Sequence, residues 1–335
     1  MALKADAVFE GGGVKGIGLV GAVSEIEKAG YEFENLAGTS AGAIVAALLA
    51  AGYSAAELKA VMGELDYNRF KDIGLLDRVP FAGPLASIVF ENGVYEGKFC
   101  ESWIRELLRA KGVETFGDLI MEEYKNDEQY RFKLRVIASD VSRGRMMVLP
   151  QDIADFGTRP EDLNVALAVR MSMSIPFFYE PVKIRNVKIN QMSYIVDGGL
   201  LSNFPVWLFD SGGGIPEWPT FGFKLVEPEA EHELPNKVRG PISMLMALFS
   251  TMMQAHDARY ISDAQFVRTI PIPTLGIGTT EFDISPEKSE ALYQSGRRAG
   301  EEFFATWDFT EYISKYRKGK PKAGRGSRLR SGKSG

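Results

Sequence analysis

The sequence predicts an α/β fold around a mostly parallel central sheet. Three observations point to it. Short apolar strands alternate with helix-length apolar segments from the N-terminus onward. The first two strand-to-helix junctions are glycine turns, Gly11-Gly12-Gly13 and Gly38-Thr39-Ser40-Ala41-Gly42. A third strand ends at Asp197-Gly198-Gly199, far along the chain, and the three turns can meet only if the intervening segments fold around one sheet.

The first element is the strand Ala7-Val8-Phe9, followed by Glu10-Gly11-Gly12-Gly13-Val14-Lys15-Gly16 and a helix carrying Ile17, Val20, Val23 and Ile26. Consecutive glycines before a helix leave backbone N–H groups uncovered, and such a nest binds an anion or an oxyanion. Gly11, Gly13 and Gly16 also satisfy the dinucleotide-binding pattern G-x-G-x-x-G, with Glu32 and Glu34 where a ribose-binding acid belongs. That pattern alone is weak. A phosphate-binding P-loop is excluded, because Ile17 follows Gly16 where Lys-Ser/Thr is required.

The next strand, Tyr31 to Ala37, runs into Gly38-Thr39-Ser40-Ala41-Gly42. This is the G-x-S-x-G nucleophile elbow, which lifts a serine hydroxyl above a sheet edge. A dinucleotide fold has no use for it. Ala41 to Ala51 is apolar and helix-forming, long enough for a buried helix whose N-terminal N–H groups favour negative charge near Ser40.

Residues 66 to 97 are turn-rich and mix aromatic with aliphatic side chains, which suits a lid or acyl-pocket wall as well as a packed connector. Lys98 to Arg109 reads as a helix, Phe132 to Ala138 as a strand, and Met146 to Leu149 as its partner across the Ser142-Arg143-Gly144 turn. Ser193-Tyr194-Ile195 leads to Asp197; an Asp-Gly pair is by itself an ordinary turn, but beside the other two motifs Asp197 is the candidate base. Thr220 to Val226 and Phe266 to Ile270 are further strands. Pro241 to Ala255 reads as a methionine-rich helix suited to core packing, with acyl-chain contact as the alternative.

The 335 residues, 45% hydrophobic, suffice for one elaborated domain, here placed at 1–316. Residues 317–335 are a Gly/Lys/Arg/Ser tail that cannot build a core and is expected to be disordered. From Lys315 onward there are nine basic residues and no acid; removing them from the 39 Lys/Arg leaves 30 against 44 acids, so the body is at −14. The single cysteine, Cys100, excludes an internal disulfide. No apolar run is long enough to span a bilayer and the N-terminus lacks a signal-peptide core, so a cytoplasmic protein is expected, any membrane contact being transient and peripheral. No histidine or acid spacing suggests a metal, and the basic tail lacks the aromatic or motif support of a nucleic-acid binder.

Taken in order, Gly11 to Gly16, Gly38 to Gly42 and Asp197 to Gly199 resemble the motifs of the patatin-like phospholipase family, and Met171-Ser172-Met173-Ser174-Ile175-Pro176 is similar to its small-residue and proline stretch. The resemblance spans the first two-thirds of the chain. It implies a three-layer α/β/α fold and a cofactor-free lipid acyl hydrolase acting on a phospholipid or other acyl lipid. Ser40 would be the nucleophile, Asp197 the general base, and Gly11, Gly12, Gly13 and Ala41 the oxyanion hole. Gly16, Gly38, Gly42, Gly198 and Gly199 would shape the turns, and Lys15 would act near the oxyanion loop or on an anionic head group. A histidine-based triad is the weaker reading: His232 sits in an acidic stretch and His256 ends the methionine-rich segment, neither in a context aimed at Ser40. Two other classes remain beside the hydrolase: a nucleotide-binding oxidoreductase, and a silent lipid-binding protein on the same fold.

Overall fold

The computed structural model describes residues 2–70, 93–210, 214–227, 263–279 and 281–321, with a few positions between 244 and 251. Its centre is an eight-stranded sheet. In chain order the strands are β1 (Leu3–Phe9), β2 (Tyr31–Thr39), β3 (Gly93–Tyr95), β4 (Leu134–Asp140), β5 (Arg145–Leu149), β6 (Phe177–Tyr179), β7 (Val182–Asn186), β8 (Gln191–Asp197), β9 (Thr220–Val226) and β10 (Thr269–Pro273). The main sheet runs β10-β9-β1-β2-β4-β8-β7, with β5 also on β4. The first five of these strands are mutually parallel; β5, β7 and β8 pair antiparallel. β3 and β6 form a separate two-stranded sheet.

The helices used below are α1 (Gly16–Lys28), α2 (Ala41–Ala50), α3 (Ala55–Gly63), α4 (Lys98–Ala110), α5 (Val165–Ser172), α6 (Pro286–Thr306) and α7 (Phe309–Tyr316). Every residue of α2 is buried, as an element apolar on all sides must be. Each of Leu48, Leu49 and Ile44 contributes about 1.5–3 kcal/mol by leaving water. α3 begins with a capping box between Ser54 and Glu57, which satisfies N–H groups that have no partner within the helix. α1 packs on α6 so closely that a Cβ on Gly296 would stand 1.8 Å from the Gly18 carbonyl oxygen. This contact ties the C-terminal third of the described chain to the helix that follows the first glycine turn.

One expected strand shifts. Residues 263–266 form a helical turn with Phe266 exposed, and β10 starts only at Thr269. β10 carries Pro271 and Pro273, tolerated because among the described residues it is an edge strand paired only with β9. The expected lid or connector lies mostly in residues 71–92, outside the described residues, as do most of the methionine-rich segment and both histidines. The first five tail residues, 317–321, are tied back: Arg317 lies 3.6 Å from Asp210, and the Ile215 N–H donates to the Pro321 carbonyl (2.9 Å). The rest of the tail is outside the described residues.

Candidate active site

β4 brings the two halves of the site together. β2 runs parallel to β4 and pairs with Leu134 to Ile137, ending with Thr39 opposite Ile137. β8 runs antiparallel to β4 and pairs with Ala138 to Asp140, with Asp197 opposite Ala138. β5 pairs with Val136 to Asp140, and a strand has two edges, so β2 and β8 share the other one. They approach from opposite directions and stop at consecutive positions. Ser40 and Asp197, 157 positions apart in sequence, thus leave their strand ends at the same gap.

The elbow is built as its glycines require. Ser40 sits at φ 52°, ψ −125°, a conformation that costs of order 1–3 kcal/mol in a residue with a side chain. A Cβ on Gly38 would stand 2.2 Å from the Gly42 carbonyl oxygen, and one on Gly42 would stand 2.4 Å from that of Phe9. The turn closes only because both are absent. The Ser40 N–H donates to Ser172 Oγ (2.8 Å), and the Ser172 hydroxyl donates to the Ile137 carbonyl (2.6 Å). Ser172 therefore fixes the Ser40 backbone to β4, the strand on which β8 sets Asp197. Removing it should leave two buried groups unpaired. Ser172→Ala is expected to destabilise by about 1–3 kcal/mol and to lower kcat by about 10- to 100-fold through misplacement, with KM nearly constant. Denaturant titration and steady-state kinetics check this; an unaltered kcat would show that the brace is dispensable.

Asp197 is fully buried. Its Oδ1 accepts the Gly199 N–H (2.8 Å), and its own N–H donates to the Ser174 carbonyl (2.8 Å). Oδ2 makes no regular hydrogen bond among the described residues. Burial pushes the carboxyl up to about 7; the Gly199 N–H and the Ser40 hydroxyl offset only part of that rise. The Ser40 hydroxyl lies within reach of the carboxylate but donates to Met173 Sδ, at 3.6 Å. This looser arrangement is common before substrate binds. Gly198 lies against β4, where a Cβ would stand 2.3 Å from the Ile137 carbonyl oxygen.

The first glycine turn closes over the same gap. A Cβ on Gly11 would lie 3.0 Å from that of Ser40. The Gly11 N–H is engaged, donating to the Asn203 carbonyl (3.4 Å), and the Asn203 amide donates to the Gly11 carbonyl (3.3 Å). The N–H groups of Gly12, Gly13 and Ala41 have no hydrogen-bond partner among the described residues. Gly13 has φ 57°, and a Cβ there would stand 2.0 Å from the Thr279 carbonyl oxygen, which also accepts the Val14 N–H at 3.2 Å. Lys15 is buried, its Nζ 3.7 Å from Glu227. Gly16 meets α2, with Ala41 Cβ 3.3 Å from where its own Cβ would be.

Four supports were not visible as site residues in the sequence. Ser172 and Ser174 were read only as small residues. Arg170 is buried and holds the segment from below, donating to Ser174 Oγ and to the carbonyls of Glu96 (2.5 Å) and Glu180 (2.8 Å). Thr279 belongs to a loop whose register no local pattern announces. Among the described residues no group of three or more His, Cys, Asp or Glu could hold a metal, and no helix is long and apolar enough to cross a membrane.

Comparison with known proteins bears on the family and the fold. The profile of the Patatin family, described as patatin-like phospholipase, matches residues 7–210. The uncharacterized protein YqhO of Bacillus subtilis (strain 168) is 41% identical over 309 residues, covering 91% of this chain and 99% of that protein. The probable lipid hydrolase 463L of Invertebrate iridescent virus 6 is 24% identical over 199 residues, covering 59% of this chain and 61% of its own. Among solved structures, VipD from Legionella pneumophila superimposes with a TM-score of 0.53 at 18% identity, covering 91% of this chain and 67% of that one, a likeness of fold alone.

Proposed function

The chain belongs to the patatin-like phospholipase family, and on that premise we propose that it is a serine lipid acyl hydrolase using a Ser40–Asp197 dyad. The observation that carries the reading is the meeting of a strained, braced serine with a buried carboxyl whose pKa is raised to about 7. A serine hydroxyl is a poor nucleophile until a base removes its proton. An ordinary solvated carboxylate is too weak a base, and burial supplies the missing basicity.

Rotation of Ser40 away from Met173 brings its hydroxyl to Asp197 Oδ2. Ser40 Oγ then attacks the acyl carbonyl carbon while Asp197 takes the proton. The developing oxyanion accepts the N–H groups of Gly12 and Gly13 and that of Ala41 at the N-terminus of α2. Collapse of this intermediate expels the alcohol, which leaves with the proton from Asp197. Water attacks the acyl-enzyme, its proton passes to Asp197, and the free acid departs as Ser40 regains its hydrogen. Gly11, whose N–H is engaged, contributes by lacking a side chain against Ser40.

Covalent labelling by a fluorophosphonate, read as a mass shift on the peptide containing Ser40, tests the nucleophile. Product analysis on phospholipids, lysophospholipids and acylglycerols assigns the bond cleaved. Gly12→Ala keeps its N–H but puts a methyl 2.1 Å from Leu225 Cδ1 and 3.6 Å from Lys15 Cε; the shift this forces on the turn is expected to lower kcat, with about 10²–10³, the worth of one whole donor, as the ceiling. Gly13→Ala meets backbone and should lower stability as well. Kinetics paired with thermal melts separate the two; a Gly12→Ala effect confined to KM argues against the oxyanion role.

A further inference from the structure

We propose that the β7–β8 hairpin tip and the adjoining β4–β5 turn dock the protein on an anionic phospholipid bilayer. The proposal adds a docking surface to the lipid-hydrolase reading and rests on that reading for its purpose. β8 extends beyond Asp140, the last residue of β4, so the hairpin projects from the end of the sheet where Ser40 and Asp197 lie. Its turn is Val187-Lys188-Ile189-Asn190. Tight turns ordinarily carry polar residues, yet Val187 is 56% exposed and Ile189 44%. Met192, 49% exposed, and Val141, 44% exposed, continue the patch; Val141 is joined to the hairpin by its N–H to the Tyr194 carbonyl (3.1 Å). These side chains stand on a rigid frame. Asn186 Oδ1 accepts the N–H groups of Lys188 (3.0 Å) and Ile189 (3.3 Å), and Asn190 Oδ1 accepts two bonds from Arg185.

The charge around this patch is the reverse of the body's. Lys183 and Arg185 lie outward on β7, opposite Tyr194 and Met192, with Lys183 Nζ 5.7 Å from the centre of the Tyr194 ring. Lys188, Arg143 and Arg145 gather around Asp155, and Arg145 also reaches Asp152. Five bases against Asp152, Asp155 and the buried Asp140 leave a local excess of two positive charges on a chain of net charge −5. Aliphatic tips flanked by basic and tyrosine side chains match the bilayer interface, where anionic head groups overlie acyl chains. A second copy docking edge to edge would bring Lys183, Arg185 and Lys188 together on both sides, so self-pairing is disfavoured. On an anionic surface the acidic remainder is repelled and the basic tip attracted, which orients the site end toward lipid.

The test uses the full chain and phosphatidylcholine vesicles with and without phosphatidylglycerol. Wild type should bind the anionic vesicles, and more weakly as salt rises. Lys183→Gln/Arg185→Gln should weaken binding at low salt by about 30-fold, roughly fivefold per charge. Val187→Ser/Ile189→Ser should weaken it about tenfold or more. All should turn over a soluble short-chain ester at the wild-type rate. Met192→Trp, in an otherwise unaltered chain, should shift its emission to the blue on anionic vesicles. Vesicle affinity unchanged in both double variants, or no blue shift from Met192→Trp, overturns the proposal. A dimer that these variants abolish, with vesicle binding intact, overturns it in favour of self-association. The emission shift decides the matter if a double variant is damaged. Absence of any ester hydrolysis defeats the catalytic reading alone, since the vesicle measurements still judge the docking surface.

Discussion

Ser40→Ala is expected to lower ester hydrolysis by about 10⁴–10⁶, as loss of a nucleophile does elsewhere, and to eliminate fluorophosphonate labelling, while the fold survives. The lost hydroxyl gives up a long contact to Met173 Sδ and its influence on Asp197, and the N–H that Ser172 holds remains. Thermal melting should therefore match the parent closely. Ser40→Gly sharpens the result. Glycine adopts φ 52° without strain, so this variant should be equally inactive and no less stable than Ser40→Ala. Full turnover in a purified, folded alanine variant would end the assignment of Ser40.

Asp197→Asn should be nearly as damaging, because it keeps the shape and removes the basicity. Serine and base act as one unit, so the Ser40→Ala/Asp197→Asn double variant should be little worse than either single one. His232→Ala and His256→Ala should each stay within a few-fold of the parent. The pH dependence follows from the carboxyl being pushed up to about 7. Catalysis needs the ionised form, so kcat/KM should rise with pH through about 7 and level off above it. Stability runs the other way. A pKa raised from 3.8 to about 7 on folding makes the group's favourable contribution complete below pH 4. That contribution is lost as pH climbs through 7, by an amount of order 4 kcal/mol at most. Asp197→Asn should thus melt above the parent at pH 8, with the gap closing toward pH 4. Equal melting at both pH values, or collapse of activity in folded His256→Ala with Asp197→Asn nearly normal, would reject Asp197 as the buried base.

Much of this was legible in the sequence for local reasons. Strand-to-helix turns that exclude side chains leave glycines at fixed positions, so Gly38, Gly42 and Gly13 marked their turns. The unbroken apolar run of α2 announced a helix buried on all sides. β10 was harder: Pro271 and Pro273 disguise its strand character, because an edge strand tolerates what a central strand does not. Ser172, Arg170 and Thr279 were unreadable for another reason. Their roles depend on which carbonyls lie nearby in space, Ile137 for Ser172 and Glu96 and Glu180 for Arg170. No periodicity encodes such long-range partners. That Lys15 would be buried beside Glu227 likewise depends on β9 returning alongside β1.

The arrangement of β2 and β8 on one edge of β4 has a consequence for how the protein fails. β2 is wedged between β1 and β4 in the middle of the sheet, whereas β8 meets β4 at only three positions and is otherwise flanked by the edge strand β7. The proposed nucleophile, Ser40, and the proposed base, Asp197, therefore belong to cooperative units of unequal protection. Excursions that detach the outer hairpin, invisible to a global melting curve, withdraw the base while the serine stays in place. Amide hydrogen exchange along β8 reports how often the enzyme is switched off without being unfolded.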